Sequence, residues 1–102
     1  MSSTRRRFSD HMRSAISDAA SRHDVQRVYL FGSYARDEAT SQSDIDLCLE
    51  TGSRFSLFDA GSFSAALEDS LGLPVDVVTE RSLYPFVRES MLKDRVLVYE
   101  RV

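Results

Sequence analysis

Cysteine is almost absent from this chain. Cys48 stands alone in 102 residues, so no disulfide can form within the molecule. A reducing cytoplasm is the expected setting. No apolar run approaches the length of a membrane span or a secretory signal. Basic charge is not in excess: 13 Lys and Arg face 16 Asp and Glu, for a net charge of −3. That balance argues against direct nucleic-acid binding, which wants a basic surface. No internal repeat, low-complexity tract or linker interrupts residues 1–102, which read as one small domain. With 42% hydrophobic residues it can bury a modest core. A second substrate-binding domain has no room, so a large substrate would have to be gripped by something else.

What the chain does have is concentrated between Val25 and Glu50. Residues 25–31 (VQRVYLF) are rich in β-branched and aromatic types and read as a strand that Gly32 ends. Glycine there lets a ligand approach the main chain closely. Ser33 is suited to cap a short helix through Tyr34, Ala35 and Arg36. Strand, Gly-Ser turn and helix start together make a site for an anion, to which the Ser33 hydroxyl could bond. Arg36 reads equally as a salt-bridge partner of Asp37 or Glu38 and as a group that orders the loop or touches phosphates. Residues 37–43 form a polar loop. Ser43 either steadies that loop or bonds a phosphate.

Residues 44–50 (DIDLCLE) alternate strictly. Asp44, Asp46, Cys48 and Glu50 fall on one face, and Ile45, Leu47 and Leu49 on the other. Carboxylates two residues apart on a strand, roughly 6.6–6.8 Å along the chain, can converge on one divalent cation. Hard oxygen ligands suit Mg²⁺ or Mn²⁺ better than zinc. Cys48 reads as a small buried residue rather than a nucleophile.

The flanks read as scaffold. Arg5, Arg6 and Arg7 suggest either a solvated start or a contact to an acidic partner or RNA. Residues 8–22 carry a helical apolar stripe of Phe8, Met12, Ala15, Ile16, Ala19 and Ala20. His11 and His23 lack ligand spacing and read as surface residues. Residues 57–71 form a second amphipathic helix ended by Gly72, with Leu57, Phe58, Ala60, Phe63, Ala66, Leu67 and Leu71 as its buried side. Residues 74–79 (PVDVVT) read as a strand. Asp76 is poorly suited to a buried strand of valines unless it has a partner. A cation shared with Asp44 and Asp46 would supply one. Residues 82–93 read as a last helix with Pro85 in its first turn, and 96–99 as a short extended segment. The order predicts an α/β fold with a small mixed sheet and helices on one face.

Gly32-Ser33, ten residues, then Asp44-x-Asp46 resembles the signature of the DNA polymerase β-type nucleotidyltransferases. The fuller string FGSYAR…SDIDL resembles the minimal nucleotidyltransferases (MNT), commonly the antitoxin paired with a HEPN-domain toxin. One departure is Asp37, where the family often has Gly. The resemblance implies a palm-like nucleotidyltransferase core and Asp44, Asp46 and Asp76 as catalytic metal ligands for two Mg²⁺ ions. It further implies Gly32, Ser33, Arg36 and Ser43 around ATP, and AMP transfer to a tyrosine of a HEPN-type ribonuclease toxin. The alternatives are an antitoxin that neutralises by binding alone, and transfer to a small molecule or an RNA end.

Overall fold

Where hydrophobic spacing runs at helical period the chain coils, and where it alternates the chain extends. In the computed structural model, residues 6–83, 89 and 92–102 are described. The elements are α1 (Asp10–Ser21), β1 (Val25–Phe31), α2 (Gly32–Ala35), β2 (Ile45–Thr51), α3 (Leu57–Leu71), β3 (Val75–Thr79) and β4 (Val96–Glu100). Ser9 caps α1 by accepting the Met12 N–H at 3.2 Å. Gly72 ends α3 in the left-handed conformation, φ +65°. Most of the predicted last helix, residues 82–93 with Pro85, lies outside the described residues. Glu80–Ser82 makes a short 3-10 turn instead of starting that helix, and residues 92–94 are helical.

The four strands form one mixed sheet in the order β3-β2-β1-β4. β1 is antiparallel to both β2 and β4, while β2 and β3 run parallel, joined through α3. Alternation divides the sheet into two faces. Leu30, Leu47 and Val77 share one row, with Val28 and Leu49 beside it. This is the core face, packed with Met12, Ile16, Ala19 and Ala20 of α1 and Phe63 and Leu67 of α3. Phe31, Asp46 and Asp76 share a row on the opposite face. Tyr29, Cys48 and Val78 form the next row, and Arg27 pairs with Glu50 and Glu100 in the one after. Cys48 is buried, as expected of it, although it shares the face of Asp46.

Two sequence expectations fail here for identifiable reasons. His23 is no surface residue: its side chain is 14% exposed and its Nδ1 lies 2.8 Å from Asp59 Oδ1. Phe55 and Phe63 meet its ring edge-on. A histidine between two aromatics and a carboxylate is satisfied inside, which sequence spacing does not reveal. Leu57 and Phe58 are not core: they are 91% and 92% exposed. Ala66 is exposed as well, while Ala60 and Leu71 are half-buried. The inward stripe of α3 runs through Asp59, Phe63 and Leu67, four residues apart each time. Asp59 takes the innermost place in the first turn because it serves the helix cap, accepting the Ser56 N–H at 2.8 Å while Ser56 Oγ accepts its own N–H. That phase turns Leu57 and Phe58 outward.

Truncating Phe63, which is fully buried, should cost about 3–5 kcal/mol, whereas Phe58→Ala should stay within about 0.5 kcal/mol of the parent. Urea denaturation of the two variants side by side checks the phase of α3.

Candidate functional site

Gly32 follows β1 directly, opens α2 and has φ +73°. A Cβ built on it would lie 2.3 Å from Asp46 Oδ2 and 3.2 Å from Asp46 Cγ. The main chain thus passes right over the Asp46 carboxylate, and only glycine fits, on grounds of both space and backbone angle. Ser33 does not cap α2 as its residue type predicts. The helix begins two residues earlier than a Ser33 cap implies, Phe31 occupies the cap position, and no side chain bonds there. α2 is a single turn, so what it can offer an anion is individual N–H groups rather than a summed dipole. Ser33 instead serves through its carbonyl, which accepts the Glu38 N–H at 2.8 Å.

The loop that follows α2 turns through Asp37, which has φ +58°. This is the position where the resembled family favours glycine, and the backbone angle explains the preference. Aspartate tolerates the left-handed region better than most side chains, so the turn is kept. Arg36 Nε donates to Glu38 Oε1 at 2.8 Å, and its Nη1 lies 3.8 Å from Asp94. Glu38 is thus its salt-bridge partner rather than Asp37. Ser43 Oγ accepts the Thr40 N–H at 2.9 Å, and the Ser43 N–H returns to Thr40 O. This closed turn delivers Asp44 and β2.

Asp46 and Asp76 are direct partners in the parallel register of β2 and β3. Neighbouring strands lie about 4.8 Å apart, so the two carboxylates rise side by side from one face. Asp44 is exposed at the entry to β2, and its charge is felt at Asp46. Burial first, then the charges of Asp76 and Asp44, push the Asp46 carboxyl above the ordinary aspartate range, while Arg36 pulls the other way. Among the described residues, no three His, Cys, Asp or Glu side chains stand close enough as placed to enclose a metal ion. What the chain brings together is a mutually repelling group of oxygen donors, open on one side. That donor chemistry fits a hard divalent cation, which would relieve the repulsion.

Two residues that sequence reasoning missed set the height of Asp76. Ser64 Oγ of α3 donates to Val75 O at 3.1 Å, and Glu68 Oε2 accepts the Val75 N–H at 3.0 Å. Both main-chain groups of the residue before Asp76 are thereby clamped to one helix. Their spacing of four places them on one face of α3, a signal visible in sequence but without a partner to attach it to.

A folded Asp46 binds its proton more tightly than an unfolded one. Its contribution to stability is therefore complete below the unfolded pKa and is lost as pH rises through the raised folded value. Without divalent cation, Asp46→Asn should melt above the parent at pH 7, and the gap should close in acid. Mg²⁺ should raise the parent's melting temperature and not the variant's. Gly32→Ala, which must displace the Asp46 carboxylate, should lower the melting temperature and abolish the Mg²⁺ response. Scanning calorimetry against pH and Mg²⁺ checks all three.

The chain is similar to known proteins in sequence and in fold. The nucleotidyltransferase domain family matches residues 12–98. A protein of Methanocaldococcus jannaschii that carries the name of a protein adenylyltransferase is 41% identical over 75 residues, 74% of this chain and 81% of the relative. A solved minimal nucleotidyltransferase superposes with a TM-score of 0.75 at 40% identity, covering 82% of this chain and 86% of its own. The fold is shared, at 20% identity and a TM-score of 0.69, with a solved complex of an MNT antitoxin and the tri-AMPylated HEPN toxin of Shewanella oneidensis, over 88% of this chain and 71% of that one. With most of its length inside the family and its paired carboxylates beneath the Gly-Ser turn, the chain belongs to the nucleotidyltransferase domain family, among its minimal members.

Proposed function

We propose that this nucleotidyltransferase moves AMP from ATP onto a tyrosine hydroxyl of a HEPN-type ribonuclease toxin, and so acts as its antitoxin. The observation that carries the chemistry is the pairing of Asp46 with Asp76 under the main chain of Gly32. The acceptor is inferred from the relatives. One resembles this chain closely and is named a protein adenylyltransferase, and a fold neighbour sits with an AMPylated HEPN toxin. Binding without chemistry would leave the repulsion around Asp46 with no use, which favours the enzyme reading.

Asp44, Asp46 and Asp76 are assigned as ligands of two Mg²⁺ ions. When bound, the ions supply charge neutralisation for the triphosphate and a lowered pKa for the acceptor hydroxyl. Gly32, bare of a side chain, lets the phosphates approach the backbone, and the Ser33 hydroxyl donates to a phosphate oxygen. Arg36, exposed and held by Glu38, is within reach to add a guanidinium to the polyanion. Ser43 holds the loop that aims Asp44. Asp76, at the outer strand and exposed, takes the proton of the attacking hydroxyl. An oxygen–phosphorus bond forms at the α-phosphate as the bond to pyrophosphate breaks, in line. No helix among the described residues is long and apolar enough to cross a membrane. We assign the work to the cytoplasm, on the strength of a lone buried cysteine and an ATP substrate.

The test is to incubate the chain with labelled ATP, Mg²⁺ and the cognate HEPN protein, and to follow label and mass. Adenylate-sized increments should appear on a tyrosine of the partner and fall at least about 100-fold in Asp46→Asn, a typical loss for charge stabilisation removed at a reacting centre. Chelation by EDTA should stop transfer. Neutralisation of the toxin without label, or label on RNA, would overturn the proposal.

A further inference from the structure

We infer that Asp94 is a positioning residue for metal binding: it holds the Arg36 guanidinium aside, so that the Asp46 carboxylate stays open to a divalent cation. This rests on the proposed metal-dependent transfer and adds how the chain keeps its own cation out of the metal's place. Arg36 stands one turn beyond Gly32, its N–H donating to Gly32 O at 3.1 Å. Gly32 is the residue whose main chain passes over Asp46. Arg36 is therefore rooted beside the carboxylate assigned to the metal, and among the described residues it is the cation whose charge bears on Asp46. Opposite charges so placed attract. An ion pair between Arg36 and Asp46 would cover the open side of the carboxylate, and a metal ion would have to displace it. Among the described residues no such pair forms. Arg36 reaches two other carboxylates instead, Glu38 and Asp94.

The two carboxylates have different tasks. Glu38 accepts from Arg36 Nε at 2.8 Å and is itself fixed by its N–H to Ser33 O at 2.8 Å. Nε is the inner nitrogen of the guanidinium, so this bond acts as a pivot and leaves the outer Nη groups free to swing. Asp94 decides the side to which they swing, its Oδ2 lying 3.8 Å from Arg36 Nη1. The segment that carries Asp94 is tied down next to the site. Arg95 lies over the Tyr29 ring, its Cζ 4.0 Å from the centroid, and Val96 pairs with Leu30 as β4 begins. Tyr29 belongs to the row beside Phe31 and Asp46, on the same face of the sheet. A half-exposed pair of this length adds little to folding stability. Its effect is on direction, because a small difference in attraction redistributes a swinging group between two acceptors. A bound triphosphate, with more charge than one carboxylate, would draw the same Nη groups away from Asp94.

The experiment measures Mn²⁺ binding to the full chain without nucleotide, from the free-ion signal in electron paramagnetic resonance. It compares the parent, Asp94→Asn, Asp94→Glu, Arg36→Gln and the double variant Asp94→Asn/Arg36→Gln, with melting temperature and AMP transfer to the HEPN protein followed in parallel. Asp94→Asn should weaken Mn²⁺ binding about fivefold, the reach of one half-exposed ion pair. Asp94→Glu should return the affinity to within about twofold of the parent. In the Arg36→Gln background, Asp94→Asn should change affinity by less than about twofold, because the arginine it directs is gone. Equal weakening in both backgrounds would mean that Asp94 acts by its charge alone, and overturns the inference. So does unchanged Mn²⁺ affinity in Asp94→Asn, whatever happens to its melting temperature. Either result leaves the proposed function standing if the parent transfers AMP. A parent that binds Mn²⁺ but transfers no AMP sinks the proposed function, while the cycle of variants still decides the role of Asp94. A parent that binds no Mn²⁺ removes the metal assignment and this inference together.

Discussion

Repulsion between carboxylates is the constraint around which this small chain is arranged. Asp46 stands beside Asp76 and near Asp44, with a glycine main chain pressed over it and one guanidinium offsetting part of the charge. None of this favours folding. The cost is met elsewhere, by a core face in which Val28, Leu30, Leu47, Leu49, Ile16, Phe63 and Leu67 are almost wholly withdrawn from water. One face of the sheet provides stability and the other spends part of it on holding carboxylates close together.

That division of labour explains the precise hold on β3. An edge strand of five residues would be the weakest part of the sheet, yet it bears Asp76. α3 compensates by gripping Val75 at both its N–H and its carbonyl. The same helix fills the core with Phe63 and Leu67 and turns Leu57 and Phe58 outward. Core packing, placement of a carboxylate and an exposed apolar turn thus depend on the rotation of a single fifteen-residue helix.

Much of the fold was legible in the sequence. Residues 25–31 and 57–71 appear with the bounds that their periodicity implies, and the alternation of residues 44–50 separates acidic from apolar side chains as the pleat requires. The row of Asp46 and Asp76 was legible from the alternation of each strand, although Asp76 stands exposed on an edge strand and not buried among valines. What sequence hid depends on contacts across the fold. His23 is interior because Asp59, 36 residues away, satisfies it. Leu57 and Phe58 look like core until the cap fixes the phase of α3. Ser33 has the chemistry of a cap, but the cap falls two residues sooner, at Phe31, whose side chain makes no capping bond. Asp37 looked like a departure from a family pattern, and its φ of +58° puts it in the left-handed region that glycine enters without strain.

The parallel alignment of β2 with β3 has a bearing on how such a chain can change over time. Height along β3 is referenced to α3 through Val75 and to β2 through the Pro74 carbonyl, which accepts the Ile45 N–H. A residue added between Gly72 and Leu73 should therefore be forgiven, since these bonds reset the strand. A single-residue insertion between Val75 and Asp76 would instead send the acid to the packed side and a valine to the open one, ending activity and stability together.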